Sequence, residues 1–188
     1  MSKFKKIVFV ISYYLVLIIV LVTVTMKPAA VIGTDVLQNG GFETGNVSPW
    51  FIVSSGTIAG SSTIVAPGHT GAFAEKFSIT KTGSGWYELA QIVPVDQGTT
   101  YNVQFWYKSS VNSGGVAFYC YDRPWSNVVA ASGVEIVATG DTWTLGTFRI
   151  SIPVNGTIAH TELLISLGNT TGTLVLDDVN MTVIDLRN

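Results

Sequence analysis

The chain is poor in cysteine and in charge. Cys120 is the only cysteine among 188 residues, and 12% of the residues are charged. A single cysteine cannot form an intrachain disulfide, so a folded domain here must be held by its core or by a bound metal. Because Cys120 lies in an apolar run, we expect inert packing rather than a reactive thiol.

Positive charge is scarce beyond the first 33 residues. Six basic and twelve acidic residues remain there, which gives a formal net charge of −6. Nucleic acid binding depends on lysine and arginine side chains that neutralise phosphates. The sequence therefore predicts no nucleic acid partner.

Catalytic signatures are also missing. A glycosidase needs two carboxylates about 5–10 Å apart across one sugar bond, whereas the acids here are scattered. His69 and His160 lack zinc-ligand spacing and a neighbouring nucleophile motif, so we expect both to be surface or loop residues. The sequence therefore predicts a protein that is not an enzyme, with an enzyme of unrecognised type as the weaker alternative.

One long hydrophobic run stands at the start of the chain. Residues 7–25 carry no charge and follow Lys3, Lys5 and Lys6. The run exceeds the usual core of a signal peptide and reaches the lower limit for a membrane-spanning helix. We therefore predict one N-terminal hydrophobic helix within residues 1–33, either a signal peptide or an uncleaved signal anchor, and both alternatives export residues 34–188.

The exported part has no helical periodicity. Short runs rich in Val, Ile, Thr and aromatic residues alternate with Gly, Asn, Ser and Pro, which is typical of strands and turns. About eleven short strands in one domain favour an all-β fold with two packed antiparallel sheets, a jelly-roll sandwich. They are predicted near residues 36–37, 50–53, 62–65, 72–79, 85–95, 100–109, 115–122, 134–138, 146–152, 161–167 and 173–184.

Strict alternation assigns faces to three of these strands, because successive side chains of a strand point to opposite sides. The inward rows are predicted to be Tyr101, Val103, Phe105 and Tyr107; Val116, Phe118 and Cys120; and Thr161, Leu163, Ile165 and Leu167. If the strands at 100–109 and 115–122 pair, then Trp106, Tyr119 and Tyr121 share one exposed face. We assign Trp50 and Trp143 to the core.

Several segments, in this order, resemble the jelly-roll carbohydrate-binding modules of families 4, 9, 16 and 22. The resemblance is carried by Asn39-Gly40-Gly41-Phe42-Glu43 followed by Trp50, the stretch 69–77, the stretch 91–95, the strand 101–108, Trp143-Thr144, and Leu176-Asp177-Asp178-Val179. The first and last of these motifs are the most specific. The resemblance implies a non-catalytic module that binds a polysaccharide or a cell-surface glycan.

The resemblance also implies a structural calcium near the chain ends. Its side-chain ligands here would be Glu43 and either Asp177 or Asp178, and its carbonyl ligands would come from Gly41 and from Glu75 or Lys76. Calcium prefers six to eight oxygen ligands, and clustered carboxylates would otherwise repel one another. The alternative is that the glycines turn the chain and the acids are solvated.

In such modules the sugar lies in a groove on a concave sheet, where aromatic rings stack on pyranose rings. On alternation grounds the ligand-binding candidates are Trp106, Tyr119, Tyr121, Gln104, Asn102 and Glu162. Trp86, Tyr87 and Trp125 would rim this groove. The alternative is that the exposed rings make only cross-strand packing.

Two functions are consistent with these features. The first is an extracellular or cell-surface glycan-binding module, stabilised by calcium and tethered to the membrane if its N-terminal segment is not cleaved. The second is a structural component of a surface layer, an appendage or a virion, which would use the same sandwich for protein contacts.

Overall fold

A computed structural model describes residues 33–186, so the hydrophobic segment predicted within residues 1–33 lies almost wholly outside the described residues. Within those residues no helix is long and apolar enough to cross a bilayer. The described chain forms ten strands: β1 (Phe51–Gly56), β2 (Ala59–Val65), β3 (Ala74–Lys81), β4 (Gly85–Ile92), β5 (Thr99–Ser109), β6 (Gly115–Arg123), β7 (Ser126–Glu135), β8 (Thr144–Ser151), β9 (His160–Ser166) and β10 (Gly172–Leu186).

The strands make two five-stranded antiparallel sheets, which confirms the predicted sandwich. The front sheet has the order β1-β4-β9-β6-β7, and the back sheet has the order β2-β3-β10-β5-β8. The strand predicted near Val36–Leu37 is reduced to an isolated bridge between Asp35 and Thr182. Strand β7 begins well before the predicted residue 134. The sequence pattern missed its first half because the valines there are exposed and do not alternate with polar residues.

The three predicted inward rows are confirmed. Tyr101, Val103 and Phe105 of β5 are almost completely buried, as are Phe118 of β6 and Leu163 of β9. These rows meet between the sheets and form one continuous core. Alternation therefore identified the buried face of each strand.

The condition for one shared exposed face, a pairing of β5 with β6, is not met. Strand β5 pairs with β10 and β8 in the back sheet, and β6 pairs with β9 and β7 in the front sheet. The outward side chains of these two strands therefore lie on opposite outer faces of the sandwich. The pattern cannot reveal this, because alternation distinguishes core from solvent but does not say which sheet a strand joins.

The first and last motifs meet at one corner of the sandwich. The Val179 backbone N–H donates to the Gly40 carbonyl oxygen at 3.0 Å. Asp35 accepts hydrogen bonds from the Leu37 and Met181 N–H groups. Residues 33–41 are therefore fastened to β10 by direct hydrogen bonds.

Strand β3 carries a buried carboxyl group, that of Glu75. Glu75 of β3 is fully buried, its Oε1 accepts a hydrogen bond from the Ser62 hydroxyl at 2.6 Å, and its Oε2 has no partner in the described structure. Burial raises the pKa of Glu75 from 4.5 to about 7, although the Ser62 hydrogen bond acts in the opposite direction. Near neutral pH this carboxyl group therefore keeps its proton about half of the time, whereas an exposed glutamate would be almost fully ionised.

We expect folding stability to fall as pH rises from about 5 to 8. The folded state keeps the Glu75 proton through a range in which the unfolded state has lost it, so the folded state binds more protons there and stability decreases with pH. A pKa rise from 4.5 to about 7 corresponds to about 3 kcal/mol. Glu75→Gln should remove most of this loss, which urea unfolding at pH 5 and pH 8 measures; the exposed Glu135→Gln is the control, and equal pH slopes for Glu75→Gln and the wild type would contradict the assignment.

The lone cysteine behaves as the sequence predicts. Cys120 is fully buried and faces the core from β6. Burial raises the pKa of Cys120 to about 11, so the thiolate that would make it reactive is disfavoured.

Candidate functional site

The hairpin between β6 and β7 carries a tryptophan over the outer face of the front sheet. Arg123 pairs with Ser126 across a two-residue turn made by Pro124 and Trp125. Proline fixes its own backbone angle for such a turn, and Trp125 adopts a φ of 54°. The Trp125 side chain remains 62% exposed, so this turn presents a large ring to solvent.

Two polar side chains of β9 hold that ring in place. The Trp125 indole Nε1 donates to Glu162 Oε2 at 3.2 Å, and the Trp125 ring lies 4.8 Å from the His160 ring. His160 Nε2 lies 3.0 Å from the same Glu162 oxygen. Ring and carboxylate therefore form one connected unit on the sheet surface.

Tyr121 of β6 extends this unit. Its ring lies 5.8 Å from the His160 ring and 6.0 Å from the Tyr119 ring. Burial, and then the neighbouring Glu162 carboxylate, raise the pKa of Tyr121 far above its usual range. The Tyr121 hydroxyl therefore keeps its proton and bonds to Glu162.

A groove of about 340 Å³ runs beside these residues across the front sheet. Trp86, which is 51% exposed, forms a second aromatic wall, and Glu88 lies on the floor beside it. The groove is lined by Val53, Ser54, Trp86, Glu88, Tyr121, Trp125, Glu162 and Leu164. A concave surface with exposed rings and a few polar groups suits a ligand that has flat apolar faces and hydroxyl edges.

A second hollow of about 360 Å³ lies farther along β6 and β7. Tyr119 lines it together with Ala117 and Gly133. A Cβ at Gly133 would come within 2.7 Å of the Ala117 side chain and of the Val116 carbonyl oxygen, so β6 and β7 pack closely here and leave no room for a side chain at this position. Since Tyr119 stacks on Tyr121, the two hollows are joined by a row of tyrosines.

The structure divides the six predicted ligand-binding residues between the two faces. Tyr119, Tyr121 and Glu162 lie on the front sheet, whereas Trp106, Gln104 and Asn102 lie on β5 of the back sheet. The expectation that all six share one face is therefore wrong, because β5 lies in one sheet and β6 and β9 lie in the other. Glu162 is also only 1% exposed, because Trp125 and His160 cover it.

Trp106 is engaged in contacts on the back sheet. The His69 ring stacks on the Trp106 ring at 4.1 Å with an interplanar angle of 16°. His69 also meets the Trp143 ring edge-on at 5.3 Å. Trp143 was expected in the core, but it is half-buried on this outer surface with Lys108 Nζ 4.6 Å above its ring. Trp50, the other tryptophan assigned to the core, is 3% exposed, as predicted.

His160 and Tyr87 also differ from expectation, whereas His69 does not. His69 lies in a loop, as predicted, but His160 is a strand residue with a side chain only 8% exposed. Its role was missed because its neighbours in the site come from a distant hairpin. Tyr87 does not rim the groove; it points inward and stacks on Phe77 at 5.7 Å.

The predicted metal ligands gather partly at the corner of the sandwich. A Cβ at Gly41 would lie 3.8 Å from the Glu43 side chain and 3.9 Å from carboxylate oxygens of Asp177 and Asp178. Lys76 lies on β3 opposite Val175, one register position from the pair Glu75 and Leu176. The side chains of Glu43, Asp177 and Asp178 therefore all lie near Gly41, the residue that the resemblance implied as their neighbour.

The loop between β2 and β3 donates to all three carboxylates. Glu43 accepts from the N–H groups of Ala72 and Phe73. Asp177 accepts from those of His69 and Thr70. Asp178 lies 2.7 Å from His69 Nδ1 and accepts from the Thr70 hydroxyl at 2.6 Å.

These contacts bear on whether the corner fits a cation. Among residues 33–186, no three His, Cys, Asp or Glu side chains form a group arranged to hold a metal ion. Each carboxylate oxygen nevertheless has lone pairs beyond its N–H or O–H donor. Burial raises the pKa of Asp177 despite its backbone hydrogen bonds, and the Asp178 charge adds to the rise. Asp177 and Asp178 are therefore close enough for the charge of one to disfavour ionisation of the other.

A family model described as a carbohydrate binding domain matches residues 34–172 of the chain. A search of curated proteins found no match.

Solved structures share this fold. The enzymatically active domain of tailspike protein 4 from Bacteriophage CBA120 is 19% identical with a TM-score of 0.66, covering 80% of this chain and only 21% of that one. TmCBM61, solved with β-1,4-galactotriose, is 24% identical with a TM-score of 0.56 and covers 80% and 99% of the two chains. The CBM22-1 xylan-binding domain of Paenibacillus barcinonensis Xyn10C is 15% identical with a TM-score of 0.61 and covers 85% and 100%.

Proposed function

Because the chain belongs to the carbohydrate binding domain family, we propose that it is a non-catalytic module that binds a polysaccharide or cell-surface glycan in the front groove. The observation that carries the proposal is the groove itself, with Trp86 and Trp125 exposed on its two sides and Glu88 between them. Pyranose rings have apolar faces that stack on such rings and hydroxyls that bond to such polar groups.

The front groove and the second hollow together form a long surface, which favours a chain of sugars over a single sugar. The two hollows together run from Trp86 on β4 to Glu135 on β7, with Tyr121 and Tyr119 in between. Successive rings along one face offer successive stacking positions. Neighbours of the same fold include a galactotriose-bound module and a xylan-binding domain, which supports a polymeric ligand.

Retardation of the full chain in native gels that contain soluble polysaccharides tests the proposal directly. We expect retardation by at least one β-linked polysaccharide and none by an unrelated soluble polymer. Retardation by no glycan would contradict glycan binding. The groove variants that locate the site are argued in the Discussion.

We propose that the module works outside the cell or on its surface. The support is the uncharged run of residues 7–25 behind three lysines, which suits export and, if it is retained, a membrane tether.

A structural role in a virion or surface layer is the second candidate. One specific observation favours it: the fold likeness to a phage tailspike domain. The edge strand β7 also exposes Val128 and Val129, which would suit contact between subunits. A structural element should assemble in size-exclusion chromatography, whereas a glycan-binding module should elute as a monomer.

We propose that the corner binds a structural calcium ion. The support is the approach of three carboxylates, from Glu43, Asp177 and Asp178, to Gly41. Bound there, calcium would neutralise their charge and join the first motif to β10. The residues that would hold it are Glu43, one of the two aspartates, and the carbonyls of Gly41 and Lys76.

A chelator should therefore lower the melting temperature of the full chain by several degrees, since a ligand bound only to the folded state stabilises it. Glu43→Ala should abolish this sensitivity to chelator, and added calcium should restore the melting temperature only in the wild type. Glu135→Ala, an exposed acid outside the corner, is the matched control. Equal melting of the wild type with and without chelator would exclude the calcium ion.

A further inference from the structure

The front groove is negatively charged without compensation from lysine or arginine. Its charged lining residues are Glu88 and Glu162, and its other described lining residues are neutral. Glu135 lines the adjoining hollow. A ligand with uronate or sulfate groups would meet like charge along this whole path.

The two glutamates of the groove differ in the hydrogen-bond partners of their carboxylates. Glu162 is enclosed: Trp125 and His160 contact its Oε2, and the Tyr121 hydroxyl bonds to it as well. Glu88 is only half-buried, and within residues 33–186 no donor forms a hydrogen bond to its carboxylate. Burial raises the pKa of Glu88, and the nearby Glu162 adds to the rise. What this part of the groove lacks is a positively charged donor.

The aromatic walls of the groove also suit a positively charged group. Trp86, Tyr121 and Trp125 line it together with Glu88, and two of these rings are more than half exposed. Aromatic faces attract cations through their quadrupole, and tryptophan does so most strongly. An ammonium group between these rings and Glu88 would gain both a cation–π contact and a charge-assisted hydrogen bond.

We propose that the groove selects a glycan whose sugars carry a free amino group, a β-linked glucosamine polymer, with the ammonium group bound by Glu88 between Trp86 and Trp125. This inference rests on the proposed function and names the ligand class of the same site. Neutral polymers with the same backbone bind in the same place more weakly, and acidic polymers are rejected.

Three hexasaccharides with one β-1,4 backbone test this by isothermal titration calorimetry on the full chain at pH 6. They carry an ammonium, an acetamide or a hydroxyl group at carbon 2: hexaglucosamine, hexa-N-acetylglucosamine and cellohexaose. We expect hexaglucosamine to bind at least about tenfold more tightly than the other two. The difference should shrink with added salt, because screening weakens a charge contact at a partly exposed site.

The variant Glu88→Gln keeps the shape of the side chain and removes its charge. It should lower the affinity for hexaglucosamine about tenfold and change that for cellohexaose less than about twofold. The control is Asp141→Asn, which makes the same change in net charge at an exposed loop residue outside the groove. A control that lowers hexaglucosamine affinity equally would show a general charge effect and overturn the inference.

Failure of the inference is distinguishable from failure of the proposed function. If cellohexaose or a neutral polysaccharide binds as well as hexaglucosamine, the module is a glycan binder without the proposed selectivity. If Glu88→Gln weakens all three hexasaccharides equally, Glu88 serves the pyranose ring and not the amino group. If neither these three nor the gel panel shows any binding, both proposals fall.

Discussion

Replacing Trp125 by alanine should lower the affinity for the bound polysaccharide roughly 30-fold or more. Truncation of an aromatic side chain at the centre of a binding surface typically costs about 2 kcal/mol or more. Trp125 is the most exposed ring of the groove, and its indole N–H is already directed to Glu162. Its removal takes away a stacking surface and uncovers a buried carboxylate, while little of the core is touched.

The matched control is Trp106→Ala on the opposite face. Trp106 lies on the back sheet with one face of its ring covered by His69. We expect this variant to keep its affinity within about twofold, although it should melt earlier because a stacked pair is lost. Affinity electrophoresis measures both variants, and circular dichroism confirms that each is folded. The reverse result, with loss in Trp106→Ala and retention in Trp125→Ala, would place the site on the back sheet.

Replacing Gly40 by alanine should destabilise the fold by about 3 kcal/mol or more. A Cβ at this position would overlap the carbonyl oxygen of Val179, which is backbone and cannot rotate away. The same two residues share a backbone hydrogen bond of 3.0 Å. The added methyl group must therefore separate the first motif from β10, and overpacking against backbone lies at the upper end of mutational costs.

The adjacent glycine provides the control. A Cβ at Gly41 meets its nearest neighbours at 3.8 Å or more, which is ordinary contact, and its φ is not positive. Gly41→Ala should therefore change the free energy of unfolding by less than about 1 kcal/mol in urea titrations. Similar losses in both variants would show that the corner tolerates no side chain at either position, and that the Val179 contact is not the cause.

The strands and their buried faces were predictable because they depend on local pattern. The alternation of Tyr101, Val103 and Phe105 is visible in the sequence and survives in the structure. Which sheet each strand joins is set by pairing between distant segments. Strand β9 lies between β4 and β6, and β10 lies between β3 and β5. This strand order places the consecutive strands β5 and β6 in different sheets, and no property of either strand alone encodes that outcome.

The sequence predicted the type of site, an aromatic groove on one sheet, but not all of the residues that form it. Tyr119 and Tyr121 are on the correct face, and Trp125 was expected at the rim. The burial of Glu162 and His160 could not be predicted, because the ring that covers them comes from a turn nearly forty residues earlier, and the chain separation of Trp125 and Glu162 is 37. The approach of Glu43 to Asp177 and Asp178 was predictable only because the two motifs resemble a known pair.

The back sheet also brings the two described ends of the chain side by side. The Gly33 N–H donates to the Val183 carbonyl at 2.8 Å, three residues before the end of β10. A domain with adjoining ends can be spliced into a surface loop of an unrelated carrier protein through short linkers, without stretching either partner. Since the groove opens on the front sheet, such an insertion would leave the groove unobstructed. The domain is therefore suited to insertion into a carrier protein as a self-contained binding unit.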